Sequence, residues 1–416
     1  MTVQQHDHTP DPAASETIEA TRYEYPFHRP SATELPPLYR ELRSQCPVAS
    51  VRFPSGDPGF VASRHADART VLADPRFSRA ATLDPDAPKL SDLPVVPGSL
   101  FSMDPPEHTR LRKLVLSEFT ARRVRALEPR IQQITDELLD SMERGGAPAD
   151  LNTALAFPLP VMVICELLGI PFEDRDKFRG WSDAFVSLKS HDTQEMLVRR
   201  QSLVAYLTEL VASKREHPGD DLLSGLVQAR DELGKLSEWE LVVMGITLLV
   251  AGHETTVSMI GMCVFTLLRH PEQLAALREH PETLPNAIEE LLRINPIGDG
   301  GPLRITLEDV DLAGTVIPKG SAVLAAICSA SRDEAIFTDG DPDQFDHARP
   351  TAGEHLAFGH GPHYCLGASL ARAELRIAIG SLIKRFPGLR LAGDVADVRM
   401  TTGMMVHGLT ELPVVW

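Results

Sequence analysis

The sequence has few cysteines, and no two of them are closely spaced. The 5 cysteines stand at positions 46, 165, 263, 328 and 365, which is an odd and scattered set. We therefore expect no disulfide framework. Cys165, Cys263 and Cys328 lie in apolar runs, where a free cysteine packs as a small hydrophobic residue. This cysteine usage is typical of a reducing compartment, and we expect a cytoplasmic protein.

Positive charge is scarce as well. The chain has 41 basic against 58 acidic residues, a formal net charge of −17. This balance argues against a surface that binds nucleic acid or an anionic membrane. The N-terminus lacks the basic start and apolar core of a signal peptide. Residues 1–22 are polar, and we expect a disordered tail there, followed by one domain over residues 23–416.

One apolar run is long enough to raise the question of a membrane span. From Leu241 to Leu268, the titratable groups that interrupt it are His253 and Glu254. A bilayer-spanning helix of this length would bury Glu254 near the membrane centre at a cost of a few kcal/mol. A helix that is apolar on all sides at the centre of a large fold explains the same pattern without that cost. We predict a core helix.

Repeats, low-complexity blocks and Gly/Ser linkers are absent from the sequence. Helical periodicity dominates residues 104–293, whereas strand-like runs are short and lie near residues 47–63, 312–328 and 404–416. The predicted fold class is mainly α with small β-sheets in a single domain. The proline-bearing stretch from Phe77 to Phe101 has no clear period and predicts a long loop, which in compact domains is usually functional.

The stretch AFGHGPHYCLGASLARAEL (Ala357–Leu375) and the preceding His355 place three histidines and a thiol within eleven positions. Zinc is one interpretation of His355, His360, His363 and Cys365. Their spacing, H-x4-H-x2-H-x-C, lacks the paired motifs of structural zinc sites. The HETTV segment at 253–257 also fails the H-E-x-x-H pattern, because position 257 is valine.

A haem iron fits the stretch better. A single thiolate ligand donates electron density to iron and favours O–O cleavage. Such a ligand needs a loop that approaches the porphyrin closely and backbone N–H groups that stabilise the thiolate. Gly359, Gly361 and Gly367 bracket Cys365, and a helix-forming sequence begins directly afterwards.

The pattern Phe358-x-x-Gly361-x-x-x-Cys365-x-Gly367 resembles the thiolate-ligand signature of the cytochrome P-450 superfamily, and most closely its soluble bacterial members. The resemblance covers nearly the whole chain after the tail. It implies the cytochrome P-450 fold, with a long central helix over haem b and Cys365 as the iron ligand. It also implies that Phe358, Gly359 and Gly367 lie beside the cofactor.

Three further groups of residues match the family in order and spacing. In AGHETT, the resemblance implies that Ala251 and Gly252 leave room for dioxygen, while Thr255 and Glu254 serve proton delivery. Glu290 and Arg293, joined by Arg349, form a structural network by the same resemblance. The remaining matches are the cationic residues for the haem propionates, which are His108, Arg112, Arg304 and His363.

The function that follows is a monooxygenase that inserts one oxygen atom of O2 by hydroxylation or epoxidation. The sequence has no dinucleotide-binding fingerprint and no iron–sulfur cysteine set, so electrons must come from another protein. The resemblance implies a ferredoxin and an NAD(P)H-dependent ferredoxin reductase. We expect a monomer. A basic stretch over residues 109–125 is the hypothetical docking patch for an acidic ferredoxin. Its residues are Arg110, Lys113, Arg122, Arg123 and Arg125.

The expected pocket walls are residues 77–101, 185–188, 295–303 and 403–408, which are mostly apolar. Asp299 is either a turn residue or a contact for a polar or amino substituent. We expect a bulky hydrophobic substrate in secondary-metabolite tailoring, such as a polyketide, macrolide or terpenoid. The alternatives are a catabolic hydroxylase of small terpenes and a haem-binding protein without turnover. A peroxide-driven enzyme would not need Glu254 and Thr255.

Overall fold

Helices carry most of the chain from residue 107 onward, as predicted. The structure is a computed structural model that describes residues 23–31, 34–91, 97–186, 193–231, 234–401 and 405–416. The predicted tail, residues 1–22, lies outside the described residues. The α-helices of the described chain are α1 (Leu38–Gln45), α2 (His65–Ala73), α3 (Glu107–Leu116), α4 (Ala121–Gly145), α5 (Pro158–Leu168), α6 (Arg175–Val186), α7 (Thr193–Glu216), α8 (Leu222–Asp231), α9 (Glu238–Arg269), α10 (Pro271–Glu279), α11 (Leu284–Ile294), α12 (Ile327–Ala330) and α13 (Ala368–Arg385).

The central helix α9 is the long apolar element that the sequence predicts. Ser237 starts it with a capping box, in which its hydroxyl accepts from the Glu240 N–H and Glu240 accepts from the Ser237 N–H. By length and composition α9 could cross a membrane, but 61% of its most apolar window is buried within the fold. Helices α5, α7 and α13 pack against it. The prediction of a core helix is confirmed.

The strands are short and lie mainly in the N-terminal part and after α11. A six-stranded sheet has the order β1-β2-β3-β9-β6-β4 and a three-stranded sheet the order β10-β11-β5, while β7 and β8 form a hairpin. The six-stranded sheet mixes parallel pairs (β1/β2, β3/β9) with antiparallel ones. The strands are β1 (Tyr23–Glu24), β2 (Val48–Arg52), β3 (Pro58–Ala62), β4 (Phe77–Ser78), β5 (Ala149–Asp150), β6 (Arg304–Thr306), β7 (Val310–Leu312), β8 (Thr315–Ile317), β9 (Ala322–Ala325), β10 (Arg390–Leu391) and β11 (Pro413–Val415).

Buried charges fix helix α11 to the irregular chain that follows α12. Glu290 accepts from Arg293 at 2.6 and 2.7 Å and from Arg349 Nε at 3.1 Å, and all three side chains are at most 1% exposed. Arg293 also donates to the carbonyls of Ser331 and Pro342. The structure thus brings the three predicted residues together. Removing Glu290 would leave two buried guanidinium groups without their carboxylate.

The loop before α13, hereafter the Cys365 loop (residues 355–367), packs directly on α2. Gly359 and Gly361 have φ of +73° and +71°, a conformation that costs any L side chain free energy. A Cβ on Gly361 would lie 2.9 Å from Ala73 Cα and from the Leu72 carbonyl oxygen. The Cys365 N–H donates to the Phe358 carbonyl at 2.9 Å and closes the loop. The backbone of Cys365 is therefore held by packing and by its own turn.

Helix α13 buries an acidic side chain in the core. Glu374 is 1% exposed, and its Oε2 has no hydrogen-bond partner among the described residues. Burial raises the pKa of this carboxyl from the usual 4.5 to about 8. The carboxyl is therefore protonated in the folded protein at neutral pH.

We expect Gly361→Ala to destabilise the protein more than Gly359→Ala. Both substitutions place a side chain in the left-handed region, which costs about 1–2 kcal/mol. A Cβ at Gly361 also meets rigid backbone of α2, whereas at Gly359 the nearest atom is 3.9 Å away. Overpacking of this kind adds about 1–3 kcal/mol. Urea unfolding of the two variants measures the difference, and equal midpoints would contradict the proposed contact with α2.

Glu374→Gln should change how stability depends on pH. Between about pH 4.5 and pH 8 the folded carboxyl keeps its proton while the unfolded one loses it, so unfolding releases a proton and the free energy of unfolding falls as pH rises. The fall is at most about 1.4 kcal/mol per pH unit. The variant lacks this loss and should gain stability over the wild type progressively up to pH 8. The matched control is Glu209→Gln, at an exposed position on α7. Urea unfolding at several pH values measures this dependence. If the free energy of unfolding of Glu374→Gln fell with pH as steeply as that of the wild type, the buried neutral carboxyl would be contradicted.

Candidate active site

The Cys365 thiol is enclosed by protein and yet accessible. Its side chain counts as exposed by surface area, although surrounding atoms desolvate it and thereby raise the pKa of the thiol. The side chain thus keeps accessible surface although protein atoms surround it on most sides. Burial is opposed by one hydrogen bond, from the Gly367 N–H, and by the positive charges of Arg112 and Arg372, all of which lower the pKa of the thiol. This environment favours a thiolate once a cation binds it.

The four residues predicted to bind propionates are brought together near this thiol. The rings of His108 and His363 stack with their centroids 4.2 Å apart. The pKa of His363 falls to about 3, first through burial and then through Arg304, His108 and other neighbouring cations. Burial also lowers the pKa of Arg304 to about 9. Arg112 donates to the Tyr364 carbonyl at 2.6 Å, which ties α3 to the Cys365 loop.

Arg79, which the sequence analysis missed, adds another cation to this cluster. Burial lowers its pKa to about 10, and its charge acts on both Arg304 and His363. Asp104 is the carboxylate that faces these groups, but it already accepts from the Ser78 hydroxyl and from the backbone N–H of Arg79. No motif marks Arg79 in the sequence, since it lies within the aperiodic stretch of residues 77–101.

The cluster carries more positive charge than its neighbours compensate, and this is the test of a cofactor fit. Arg304 Nη2 is buried and has no hydrogen-bond partner within the described part of the chain. An unpaired buried guanidinium is costly unless an anion binds it. A group that bears two carboxylates and a thiolate-binding metal would satisfy both the cations and Cys365. The residues present therefore fit haem, with propionates on the cations and iron on the sulfur.

The middle of α9 is partly open although the helix is a core element. Ala251, Thr255 and Ser258 are half-buried on one side, whereas His253 and Thr256 are fully buried. Their spacing places Ala251, Thr255 and Ser258 on one helical face, which therefore keeps some accessible surface. The Thr255 hydroxyl donates to the Ala251 carbonyl at 3.0 Å and keeps its lone pairs for another donor.

Gly252 has a packing contact that the sequence analysis did not predict. A Cβ at this position would lie 2.8 Å from Ile164 Cδ1 on α5. The glycine therefore permits close approach of α5 and α9, and its missing side chain does not by itself open space for dioxygen. The predicted room for dioxygen therefore depends on Ala251, which lies on the half-buried face of α9.

Glu254 is bonded to its neighbour His253. The two atoms His253 Nε2 and Glu254 Oε1 are 3.0 Å apart, and His253 Nδ1 lies 2.7 Å from the Leu249 carbonyl oxygen. A carbonyl only accepts, so Nδ1 carries a hydrogen. Nε2 and the carboxyl oxygen consequently hold one proton between them. No pattern in the sequence predicts this contact, because neighbouring helical residues usually diverge.

Several predicted pocket walls fall partly on residues 92–96, 187–192 and 402–404, which lie outside the described residues. Asp299 is described, and it is engaged rather than open. Arg29 donates to its carboxylate, His407 Nε2 lies 3.8 Å from it, and Tyr39 and Cys328 donate to its carbonyl. It therefore joins the N-terminal segment, the turn after α11 and the C-terminal turn.

The comparisons with known proteins agree with this geometry. The family model described as Cytochrome P450 matches residues 176–389. The chain is 48% identical to nocardicin C N-oxygenase of Nocardia uniformis subsp. tsuyamanensis, over 94% of this chain and 98% of that protein. It is 45% identical to mycinamicin IV hydroxylase/epoxidase of Micromonospora griseorubida, with the same coverage.

The fold agrees with solved structures as well. The LnmA cytochrome P450 hydroxylase from the leinamycin biosynthetic pathway of Streptomyces atroolivaceus matches with a TM-score of 0.87 and 47% identity, over 95% of this chain and 100% of that one. These matches over nearly the full length of the chain all indicate the same family. The chain belongs to the cytochrome P450 family and is a monooxygenase with the haem-thiolate chemistry of that family.

Proposed function

We propose that this monooxygenase holds haem b through Cys365 and the cation cluster formed by Arg79, His108, Arg112, Arg304 and His363. The observation that supports the assignment is the buried, unpaired Arg304 Nη2 within a group of cations that faces an accessible thiol. When bound, haem supplies the activation of O2. In this proposal Phe358, Gly359 and Gly367, which belong to the Cys365 loop, line the cofactor.

Protons reach the site, in this proposal, along the open face of α9. Thr255 accepts and donates through one hydroxyl, and it lies one turn from Ala251 on the face that keeps some accessible surface. Glu254 holds a proton jointly with His253 and passes it towards Thr255 from the buried side. Solvent supplies the replacement proton to the partly exposed Glu254 carboxylate. His253 orients that carboxylate through Nε2, because its Nδ1 stays bonded to the Leu249 carbonyl.

The substrate is a bulky hydrophobic secondary metabolite. The support comes from the names of the relatives, which include mycinamicin IV hydroxylase/epoxidase and PikC, and from the described pocket walls. The wall at residues 295–303 contains closely packed glycines: a Cβ on Gly300 or Gly301 would lie 2.5 or 2.8 Å from Leu324 or Ile327 side-chain atoms. That wall is rigid, so substrate choice rests on the loops around it.

Electrons come from a ferredoxin that binds the basic stretch of α3 and α4. The five residues of the predicted patch are exposed, and α3 contacts the Cys365 loop through Arg112. Arg110 pairs with Glu240 and Arg123 lies 3.6 Å from Glu118, which reduces their net contribution. Lys113, Arg122 and Arg125 form no ion pair with any described residue, so they offer their charge to a partner.

Cys365→Ser tests the cofactor assignment. The reduced wild-type protein under carbon monoxide should show the strongly red-shifted Soret band of thiolate-ligated haem, and the variant should lack it. Cys46→Ser is the matched control, because Cys46 is half-buried and lies in the loop between α1 and β2. A band at the position of histidine-ligated haem in the wild type, or an unchanged band in Cys365→Ser, would contradict the proposal.

Reversal of charge in Arg122→Glu/Arg123→Glu should slow the first electron transfer from an acidic ferredoxin. The readout is the rate at which the carbon monoxide complex forms under ferredoxin-driven reduction at low salt, which needs no substrate. We expect a fall of about tenfold or more that disappears at high salt, since complementary charge accelerates encounter. The control is Lys384→Glu/Arg390→Glu, an equal change at exposed positions of α13 and β10. Equal rates in both double variants would contradict the patch.

A further inference from the structure

An ion pair outside the predicted network links α11 to α13 beneath the Cys365 loop. Arg372 donates through Nε and Nη2 to the two carboxylate oxygens of Glu289, each at 2.7 Å. This parallel, two-bond geometry is the strongest form of an arginine–carboxylate contact. Glu289 precedes Glu290 in the sequence, but it points to a different partner. The two adjacent glutamates therefore serve separate networks.

Arg372 also contacts the Cys365 loop from its position on α13. Its guanidinium lies over the Phe358 ring at 4.4 Å, and its Nη1 is 3.3 Å from the Tyr364 hydroxyl. Phe358 accepts the backbone N–H of Cys365, and Tyr364 directly precedes Cys365. Arg372 thus holds both residues that fix the position of the cysteine backbone, by a cation–π contact and a hydrogen bond.

His355 anchors the same carboxylate from the start of the loop. Its Nδ1 accepts from the Ala357 N–H at 3.0 Å, so the hydrogen is on Nε2, which faces Glu289 Oε2 at 3.2 Å. Glu289 therefore receives three side-chain hydrogen bonds. They lower the pKa of its carboxyl to about 2 in spite of burial, which keeps Glu289 ionised at neutral pH.

The charge of Arg372 is held next to the segment that carries the sulfur. The guanidinium touches Tyr364, which directly precedes Cys365, and the ring of Phe358, whose carbonyl accepts the Cys365 N–H. Glu289 balances this charge, and its side chain is 21% exposed against 32% for Arg372. Water therefore screens the pair only in part.

We propose that Glu289 and Arg372 are positioning residues that set the electrostatic potential at the Cys365 sulfur, and with it the reduction potential of the bound haem. The inference rests on the proposed ligation of haem by Cys365. Reduction adds one electron to the haem–thiolate unit, so a nearby positive charge favours it and a negative charge opposes it. The intact pair is nearly neutral. Loss of either partner exposes the charge of the other.

The two partners should consequently shift the reduction potential in opposite directions. Glu289→Gln leaves Arg372 uncompensated and should raise the potential. Arg372→Gln leaves the Glu289 carboxylate uncompensated and should lower it. In the double variant E289Q/R372Q both charges are gone, so its potential should return towards that of the wild type. A structural effect alone would move all three variants in one direction.

Spectroelectrochemical titration of the purified, haem-loaded proteins measures these shifts. Arg376→Gln is the control, because Arg376 lies one turn further along α13 and pairs with Glu128 at 2.8 Å. It should change the potential less than Arg372→Gln does. The carbon monoxide spectrum of each sample reports the fraction of thiolate ligation, so that only thiolate-ligated protein is compared.

The outcomes separate this inference from the assignment of the cofactor. Failure of the wild type to show thiolate-ligated haem would contradict the proposed function itself. A thiolate-ligated wild type with equal potentials in all variants, or with shifts of one sign, would overturn the role of the pair alone. If Arg372→Gln fails to fold, the sign of the Glu289→Gln shift still decides: a rise supports the inference, and a fall or no change refutes it.

Discussion

A charge that leaves water must be compensated inside the protein, and the architecture around Cys365 depends on this constraint. On the side of α11, each carboxylate has a cationic partner: Glu290 pairs with Arg293 and Arg349, and Glu289 pairs with Arg372. Around Arg304, by contrast, the cations exceed the available carboxylates. The carboxylates of α11 are therefore paired within the protein, whereas the cluster around Arg304 stays electropositive.

The rigidity of the Cys365 loop comes from close backbone contacts rather than from many side chains. Gly361 lets the loop touch α2, and the Phe358 carbonyl accepts the Cys365 N–H. A similar close contact occurs in the turn after α11, where Gly300 packs against Leu324 and leaves no room for a Cβ. Backbone held in this way resists displacement, because any shift must move an adjoining helix or strand. The Cys365 loop and the turn after α11 are thereby fixed relative to helix α2 and strand β9.

Helix α9 combines two demands that normally conflict. It is the apolar core on which α5, α7 and α13 pack, and it also presents polar groups at its centre. The conflict is resolved by pairing each polar group locally: Thr255 with Ala251, and Glu254 with His253. Gly252 belongs to the packing side, where it accommodates Ile164. One short motif therefore serves both the core and the site.

The sequence alone determined the class of fold and the identity of the key residues, because those depend on local patterns. A long apolar run predicted α9, and glycines around a single cysteine predicted a thiolate loop that contains Cys365. The cation set His108, Arg112, Arg304 and His363 followed only from order and spacing within a known family, and the structure brings these residues together.

The tertiary structure decided which groups meet across large separations. Arg79 lies near Arg304 although 225 positions separate them in the chain. Glu289 pairs with Arg372, whereas the adjacent Glu290 pairs with Arg293 and Arg349. These ion pairs depend on which helix faces pack against one another. The sequence alone does not show which partner a given glutamate will face. The sequence specifies the type of each residue, but it does not show which charges pair with one another. That pairing is a property of the packed molecule, since only packing removes the water that would otherwise screen each charged group.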